Sequence, residues 1–588
     1  MALVLTPGQP AQLSSTPVLA PGDDGSAVAV SGERVGAGHW MPGLRRWESS
    51  AALLLISTVY SLVQGATQNI IGIDGYYHVK VAQLMQLQGW RLLAPLDFPW
   101  LQLTILGPGR YTDHHFLFHV LQAPFTFDDL RIGAKMAAVL FAVIGLYTTY
   151  LFLVRFKIPY PLLWIAVLIA SAPVFLWRQS MARPQSLSVL LIVLGIWALF
   201  AGRPVLLLPV GFAAAWLFNG FFFEIGAPAA AVLVSLGYLA ARRWWLTETL
   251  APTLPQRETA PSGEVPHGPV LTFRFAVVAL AWTLLGIGLG LLLHPYFPRN
   301  VEFAFLHLFP KAVPSDQANV TVGMEWYPYS PLQFVVRVGP CVAMTALGMV
   351  PIGMVLARRE WPEWRTLVLG ILALGFLAMV ARSQRIIEYE PVFAMVFCAW
   401  SWSYAPDTIV RLAQLARRRL PARLVGALDR PTRRAWSVFP ILVALVAAPF
   451  VTTSTLLASK EANDGLPWTT YRDGALWLAD NTPAGSRVFT TGWDDFPHMF
   501  FWDTHNTYLI GLDPTYMSLD NPTTFQLWRS ISQGNVRNPS QQIRDRFNSP
   551  YVLTDLKHER FLQMAASDAG LEEVFRSRTV VVFRVRGG

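Results

Sequence analysis

Charge is what this sequence has least of. Only 14% of its 588 residues are Asp, Glu, Lys or Arg, against roughly a quarter in an ordinary soluble domain. That shortage excludes a soluble globular class for most of the chain. Cysteine is nearly absent too. Cys341 and Cys398 are the whole complement, and both lie inside apolar runs, so no disulfide framework is possible and the two thiols read as packing residues. A secretory leader has no counterpart in residues 1–44, which are rich in Pro, Gly, Ser and Ala and lack an apolar centre behind a basic start. They read as a disordered cytoplasmic tail. No internal repeat is visible either, which counts against a transporter built from repeated halves.

Apolar length is what the chain has in excess. Hydrophobic residues make up 53% of it, and the mean hydropathy is +0.38. Runs such as Lys135–Leu153 and Phe275–Leu293 meet the requirement of about 20 apolar residues for a membrane-spanning helix. By that criterion about eleven spans are expected: 48–66, 134–154, 159–177, 185–201, 204–219, 222–241, 275–293, 331–356, 365–381, 389–405 and 437–457. The split near Asn219 and Gly220 is the least marked of the boundaries.

The net charge of +9 is arranged for topology. Arg417, Arg418, Arg419, Arg423, Arg430, Arg433 and Arg434 crowd between two apolar segments, as in a short loop retained on the cytoplasmic side during insertion. With the N-terminus inside, Arg45, Arg46, Arg155, Lys157, Arg203, Arg242, Arg243, Arg274, Arg358 and Arg359 fall on the same side. The partner this implies is membrane lipid; no nucleic acid is expected.

That threading divides the chain into a tail (1–44), a transmembrane domain (45–458) and an extracytoplasmic region (459–588). A Pro-rich linker at 244–272 lies inside, and loops at 67–132 and 294–330 lie outside. The last region alternates β-rich runs (Arg487–Thr491, Thr507–Gly511, Tyr551–Thr554, Thr579–Val585) with helical stretches (Tyr471–Asn481, Asn538–Phe547, Glu559–Ala569), the pattern of a small α/β domain. The expected fold class is therefore a polytopic α-helical membrane protein with a C-terminal soluble α/β domain.

The outer loops carry the chemistry. Asp74 opens an amphipathic stretch, Val79–Gln88, expected to lie along the membrane surface. Its carboxylate either caps the helix start or acts as a general base. In Thr112-Asp113-His114-His115, a helix beginning here would put His115 and His119 four apart on one face. With Asp113 beside them, these residues either form a local hydrogen-bonded helix start or hold a divalent ion such as Mg or Mn. Arg178, Arg183, Arg382 and Arg385 sit on the outer side, where the charge rule disfavours arginine; forked guanidinium donors suit a lipid phosphate. Glu325 is the acid of an aromatic stretch, Val322–Pro328, and Glu224 is a charge at membrane depth.

This layout resembles the GT-C glycosyltransferases, above all the catalytic subunits of oligosaccharyltransferases and their bacterial relatives. Asp74-Gly75-Tyr76-Tyr77 is similar to the first acidic motif of that family, which implies a catalytic carboxylate. Arg385, in Arg-Ile-Ile-Glu-Tyr, resembles the family arginine that meets the donor phosphate. Glu325 falls in the loop that carries an acceptor-side acid. Gly492-Trp493-Asp494-Asp495 stands where the family places its Trp-Trp-Asp acceptor motif. Two departures are visible. Trp177–Arg183 lacks the paired acids used there for metal, and Gly492 replaces the first tryptophan.

The resemblance implies an inverting glycosyltransferase with a polyprenyl-phosphate-linked sugar donor and an unidentified acceptor. Asp74 and Asp113 would be catalytic. Arg385, Arg382 and Arg183 would bind the donor phosphate, and Glu325, Trp493 and Asp494 would face the acceptor. The expected location is a bacterial inner membrane with the site on its outer face. The rival reading is a non-catalytic lipid-phosphosugar binder or a lipid or polymer transporter.

Overall fold

The computed structural model describes residues 42–91, 93–245, 269–312, 323–357, 360–403 and 433–587. The expectations for residues 1–41, for most of the 244–272 linker and for the arginines between 411 and 430 lie outside them.

Each expected apolar segment contains helix. In chain order these are α1 (Pro42–Gly65), α4 (Leu130–Arg155), α5 (Pro161–Ser171), α6 (Pro173–Gln179), α7 (Gln185–Phe200), α8 (Leu207–Leu217), α9 (Gly226–Trp245), α10 (Phe273–Leu292), α12 (Pro331–Ala357), α13 (Trp364–Arg382), α14 (Glu390–Ser403) and α15 (Arg433–Asn463). Between them come α2 (Asp74–Leu87), α3 (Phe116–Gln122) and α11 (Arg299–Ala312). Among the described residues, five helical segments are long and apolar enough to cross a membrane: Leu130–Arg155, Phe221–Ala241, Phe273–Leu292, Pro331–Ala357 and Trp364–Arg382. Helices α5 and α6, bent by 94° at their junction, would make a sixth. The chemistry of that bend is local. Pro173 cannot donate to the preceding turn and forces Ala172 out of the helical region, to φ −136° and ψ 65°. The break between α8 and α9 falls at Phe218–Gly220, followed by a 3₁₀ turn over Phe221–Ile225.

Small residues set the closest helix crossing. An ideal Cβ placed on Gly286 of α10 would lie 2.2 Å from the Leu208 carbonyl oxygen, and one on Gly290 2.8 Å from that of Phe212. Gly211 of α8 faces the Thr283 carbonyl in the same way. Backbone-to-backbone approach of this kind replaces hydrophobic driving force in a lipid environment.

Past α15 the chain forms α16 (Arg472–Asn481) and then a five-stranded sheet. Its strands are β1 (Arg487–Thr490), β2 (Thr507–Tyr508), β3 (Tyr551–Asp555), β4 (Leu571–Arg576) and β5 (Val580–Val585), in the order β2-β1-β3-β5-β4. Strand β1 runs parallel to β2 and β3, whereas β5 is antiparallel to β3 and β4. Around it lie α17 (Phe496–Trp502), α18 (Pro514–Asp520), α19 (Pro522–Ser532), α20 (Pro539–Phe547) and α21 (Glu559–Ala566). Every residue of β3 is buried, as a strand covered on both faces requires.

The sheet does not stop at β2. Gln102 N donates to Tyr508 O at 3.0 Å, Tyr508 N to Trp100 O at 2.8 Å and Leu103 N to Leu509 O at 3.2 Å. The segment around Trp100–Leu103 thus covers an edge that would otherwise expose unpaired backbone groups.

Helix α2 departs from its expected place. Tyr76, Tyr77, His78, Val79, Val81, Ala82 and Met85 are all buried, so it is an internal strut rather than a surface helix. It packs against α3 and α4 on one side and α17 on the other. Apolar residues occur almost all round its axis, which is the signature of a buried helix.

Candidate active site

The site is assembled where α1 turns into α2. Gly72, at φ +81°, makes that turn, and its backbone conformation is one that side chains with a Cβ disfavour. Ala182 N donates to Ile71 O at 3.4 Å, tying the turn to the loop after α6. Asp74 is the first residue of α2, yet its carboxylate does not cap the helix: Ile73 occupies the capping position, without a side-chain bond. Instead Asp74 Oδ2 accepts from Arg183 Nη2 at 2.5 Å.

Arg183 leads into a charge cluster. Its Nη1 reaches Glu325 Oε2 at 3.4 Å, and Arg178 Nη2 donates to the same oxygen at 2.7 Å. Arg385 Nη1 donates to Glu325 Oε1 at 2.7 Å. Burial works against the charge on Glu325, but Arg385, Arg178 and Arg183 together hold its carboxyl well below the ordinary value. Arg178 also donates through Nε to Glu388 Oε1 at 2.7 Å, and Gln179 Nε2 donates to Glu388 O at 2.8 Å. The loop bearing Glu325 is pinned to the turn after α13. Ser383 Oγ donates to Glu325 O at 3.0 Å, and Gln384 N to Tyr327 O at 3.0 Å. Arg385 lies 5.1 Å from the centre of the Trp326 ring, within cation–π range.

Asp74, Arg183, Glu325 and Arg385 are therefore brought together. Arg382 is not. It is exposed in the last turn of α13, and among the described residues no ion pair joins it to the cluster.

One helical turn beyond Asp74, His78 connects to the second group of expected residues. Its Nδ1 lies 2.8 Å from His119 Nε2, and His119 Nδ1 lies 2.7 Å from Asp113 Oδ2. Asp113 Oδ1 also accepts from His115 N at 3.0 Å. Burial would raise the Asp113 carboxyl, but the charge of His119 and the hydrogen bonds from His119 and His115 hold it below its usual range. It is thus an acceptor from His119 Nδ1, and the other ring nitrogen of His119 shares its hydrogen bond with His78. Burial, reinforced by nearby His119 and Arg183, pushes His78 well below the usual imidazole value. Burial does the same to His115, with His114 adding to it.

His115 stands just before the first residue of α3 without a side-chain capping bond, its ring 6.1 Å from that of His119. The metal expectation needs Asp113, His115 and His119 to converge on one point. As the side chains stand, His119 uses both ring nitrogens on Asp113 and His78. Among the described residues no group of three or more His, Cys, Asp or Glu side chains is set to hold an ion. For Asp113 and His119 to take up a divalent ion, their mutual hydrogen bond would have to open.

Trp493 and Asp494 lie beyond the carboxyl end of β1, Trp493 half-buried and Asp494 exposed. The chain runs from them directly into α17, where the His498 ring packs 4.2 Å from Tyr76 of α2. No ion pair among the described residues joins Asp494 to the Glu325 cluster. Nearby, Asp555 accepts from Tyr471 Oη at 3.2 Å and from His558 Nδ1 at 2.6 Å. Burial and the adjacent Asp494 push Asp495 up to about 7.

Sequence reasoning missed three partners. His78 could have been found, being four residues from Asp74 on the same helix. Glu388 stood within the quoted Arg-Ile-Ile-Glu-Tyr stretch, but nothing local marked it as the partner of a residue in another helix. Arg178 was read as an arginine suited to a lipid phosphate, and not as the partner of Glu325 and Glu388.

No protein-family profile and no curated protein matches this sequence. Solved structures do. The oligosaccharyltransferase AglB of Archaeoglobus fulgidus, solved with an inhibitory peptide and a dolichol-phosphate, superposes with TM-score 0.57 at 13% identity, over 89% of this chain and 71% of that one. The A. fulgidus enzyme tethered to an acceptor peptide with an NVT sequon gives 0.55 at 13% identity, over 92% and 74%. ArnT of Cupriavidus metallidurans, bound to undecaprenyl phosphate, matches at 0.46 and 14%, over 92% and 98%. The fold is shared with these oligosaccharyltransferase structures.

Proposed function

Taking the GT-C fold as the premise, we propose that this chain is an inverting glycosyltransferase. It moves a sugar from a polyprenyl-phosphate-linked donor to an acceptor on the extracytoplasmic face of a membrane, the bacterial inner membrane by the sequence reading. The observation that carries the proposal is the contact chain from Asp74 through Arg183 and Glu325 to Arg385 and Arg178. A candidate base and a set of phosphate-binding cations thus share one cluster beside the buried Asp113.

In the proposed reaction the donor phosphate takes Arg385 and Arg183. Freed from its guanidinium partner, the Asp74 carboxylate has an oxygen open to accept the proton of the attacking acceptor. The acceptor oxygen or nitrogen bonds to the anomeric carbon from the face opposite the phosphate. The carbon–oxygen bond to phosphate breaks, and its electron pair leaves with the lipid phosphate. Forked guanidinium donors aimed at that developing charge stabilise departure. Asp113, through His119 and His78, orients the helix that presents Asp74. The region from 459 onward, with Trp493 and Asp494, helps to select the acceptor, as does Glu325. Gly492 in place of a tryptophan leaves a peptide sequon without its expected reader.

The test is transfer from radiolabelled polyprenyl phosphosugars by purified protein in lipid, for wild type and Asp74→Asn, with and without chelator. Transfer by wild type and a loss of roughly 10²-fold or more in a folded Asp74→Asn protein is the expected result. Equal rates would remove Asp74 as the base. Donor binding with no turnover across a broad acceptor panel would favour a binding protein instead. Inhibition by chelator would bring back a divalent ion at Asp113, His115 and His119.

A further inference from the structure

The charges around Glu325 bear on which lipid-linked sugar the site takes, an inference that rests on the donor reading above. Three guanidinium groups, those of Arg178, Arg183 and Arg385, face three carboxylates, those of Asp74, Glu325 and Glu388. The cluster is neutral as it stands. Other ionic groups nearby do not alter the balance. Arg337 pairs with Glu461 at 3.3 Å, and Asp113 is hydrogen-bonded to His119 and makes no ion pair with the three arginines among the described residues. His78 and His115 are uncharged at neutral pH, being held below the usual imidazole range by burial.

Asp74, 33% exposed and paired with Arg183 alone, is the proposed base; of the two carboxylates that Arg178 bridges, Glu325 is the one in a position to leave. Glu388 is fixed at 1% side-chain exposure, whereas Glu325 is 20% exposed. The backbone beneath Glu325 is anchored by Ser383, so its side chain can swing out without the loop moving. Its departure leaves one unbalanced positive charge and three guanidinium groups that had converged on two oxygens. A phosphodiester presents two non-bridging oxygens sharing one negative charge, which is the same pattern of atoms and charge as the carboxylate it replaces.

We infer that the Arg178–Arg183–Arg385 cradle selects a polyprenyl monophosphosugar over a diphosphosugar, with Glu325 as the group that the donor phosphate displaces. A diphosphate linkage carries a second charge that this cluster does not balance. An unmatched charge at this depth is costly because the surroundings screen it weakly.

The experiment uses full-length protein in lipid nanodiscs and two short-chain probes, a prenyl monophosphosugar and the matching prenyl diphosphosugar. Binding is titrated with and without Mg²⁺. Wild type is expected to bind the monophosphate probe at least about tenfold more tightly. Glu325→Gln, which keeps shape but removes the resident charge, is expected to bind both probes more tightly. Glu388→Gln adds one net positive charge and is expected to narrow the preference. Equal or tighter binding of the diphosphate probe by wild type, in either Mg²⁺ condition, would overturn the charge match while leaving the donor reading intact. Weaker monophosphate binding by Glu325→Gln would show that Glu325 contacts the donor instead of yielding to it. Binding of neither probe would refute the donor reading, and this inference with it.

Discussion

Replacing Arg178 with methionine removes one guanidinium from two carboxylates of different burial. Glu388 has 1% side-chain exposure and receives Arg178 through Nε at 2.7 Å and Nη2 at 2.5 Å, all on Oε1. Its Oε2 is buried with no hydrogen-bond partner among the described residues, so beyond Arg178 only the more distant Arg183 acts on the charge. Breaking a buried pair by deleting one member costs about 3–5 kcal/mol. Arg385→Met makes the useful contrast. That pair is 23% and 20% exposed, and Glu325 keeps its other two arginines, so the loss should stay under about 1 kcal/mol. Combining Arg178→Met with Glu388→Gln removes the stranded charge and should recover most of the stability. Thermal unfolding in nanodiscs should therefore order the proteins as wild type, Arg385→Met, the double variant and, well below them, Arg178→Met. The reasoning fails if Arg178→Met lies within about 0.5 kcal/mol of wild type, or if the two changes in the double variant simply add.

Asp113→Asn replaces the acceptor of the His119 proton and should cost about 1–3 kcal/mol, with a fall in transfer rate, measured by unfolding and radiolabel assays on one preparation. Gly286→Leu puts a side chain where an ideal Cβ already meets the Leu208 carbonyl at 2.2 Å. Loss of at least about 1–3 kcal/mol is expected, read as a lowered melting midpoint, while Gly288→Leu, with open space at its Cβ, should be neutral. Asp495 sets a pH dependence. Its carboxyl titrates near 7 in the folded chain and near 3.9 when unfolded, so the folded state holds a proton that the unfolded state has lost between those values. Stability of the sheet should therefore fall as pH rises through that window. Asp495→Asn should remove that slope, as followed by hydrogen exchange in β1 and β3. The part due to His558, whose value is also raised by its bond to Asp555, should persist, being lost only as pH rises through that group's own folded value.

The parts of the fold that the sequence disclosed are those written in local pattern. Helical segments stood out because apolar length is a property of the segment itself. The starts of α2 and β1 followed from an acid after an apolar run and from a short β-branched cluster. Strand β4 was missed because Leu571-Glu572-Glu573-Val574-Phe575-Arg576 is rich in helix-forming charged residues, tolerated in an edge strand whose side chains meet solvent. The burial of α2 was missed because its cover, α17, lies some four hundred residues further on. The candidate site divides the same way. Asp74, Asp113, Arg385 and Glu325 each carried a local signal. That Arg178 bridges Glu325 and Glu388 could not be read, since that contact joins three separate stretches of chain. Arg382 had the same local signal as Arg385, yet it points to the outside of α13, a matter of one helical turn that residue type does not encode.

The short helices bear on the bilayer itself. Helix α7 has 16 residues and α8 has 11, lengths of about 24 and 16 Å at 1.5 Å per residue, whereas a hydrocarbon core is about 30 Å thick. Helix α7 is buried along most of its length, and lipid that reaches the partly buried face of α8 has to compress to meet it. A headgroup plane drawn inward beside the arginine cluster would shorten the distance a membrane-anchored phosphate must travel to reach it. The rate of transfer should accordingly depend on acyl-chain length. Nanodiscs of shorter-chain phospholipid should support faster turnover than those of longer-chain phospholipid, with the affinity for soluble short-chain probes unchanged between them.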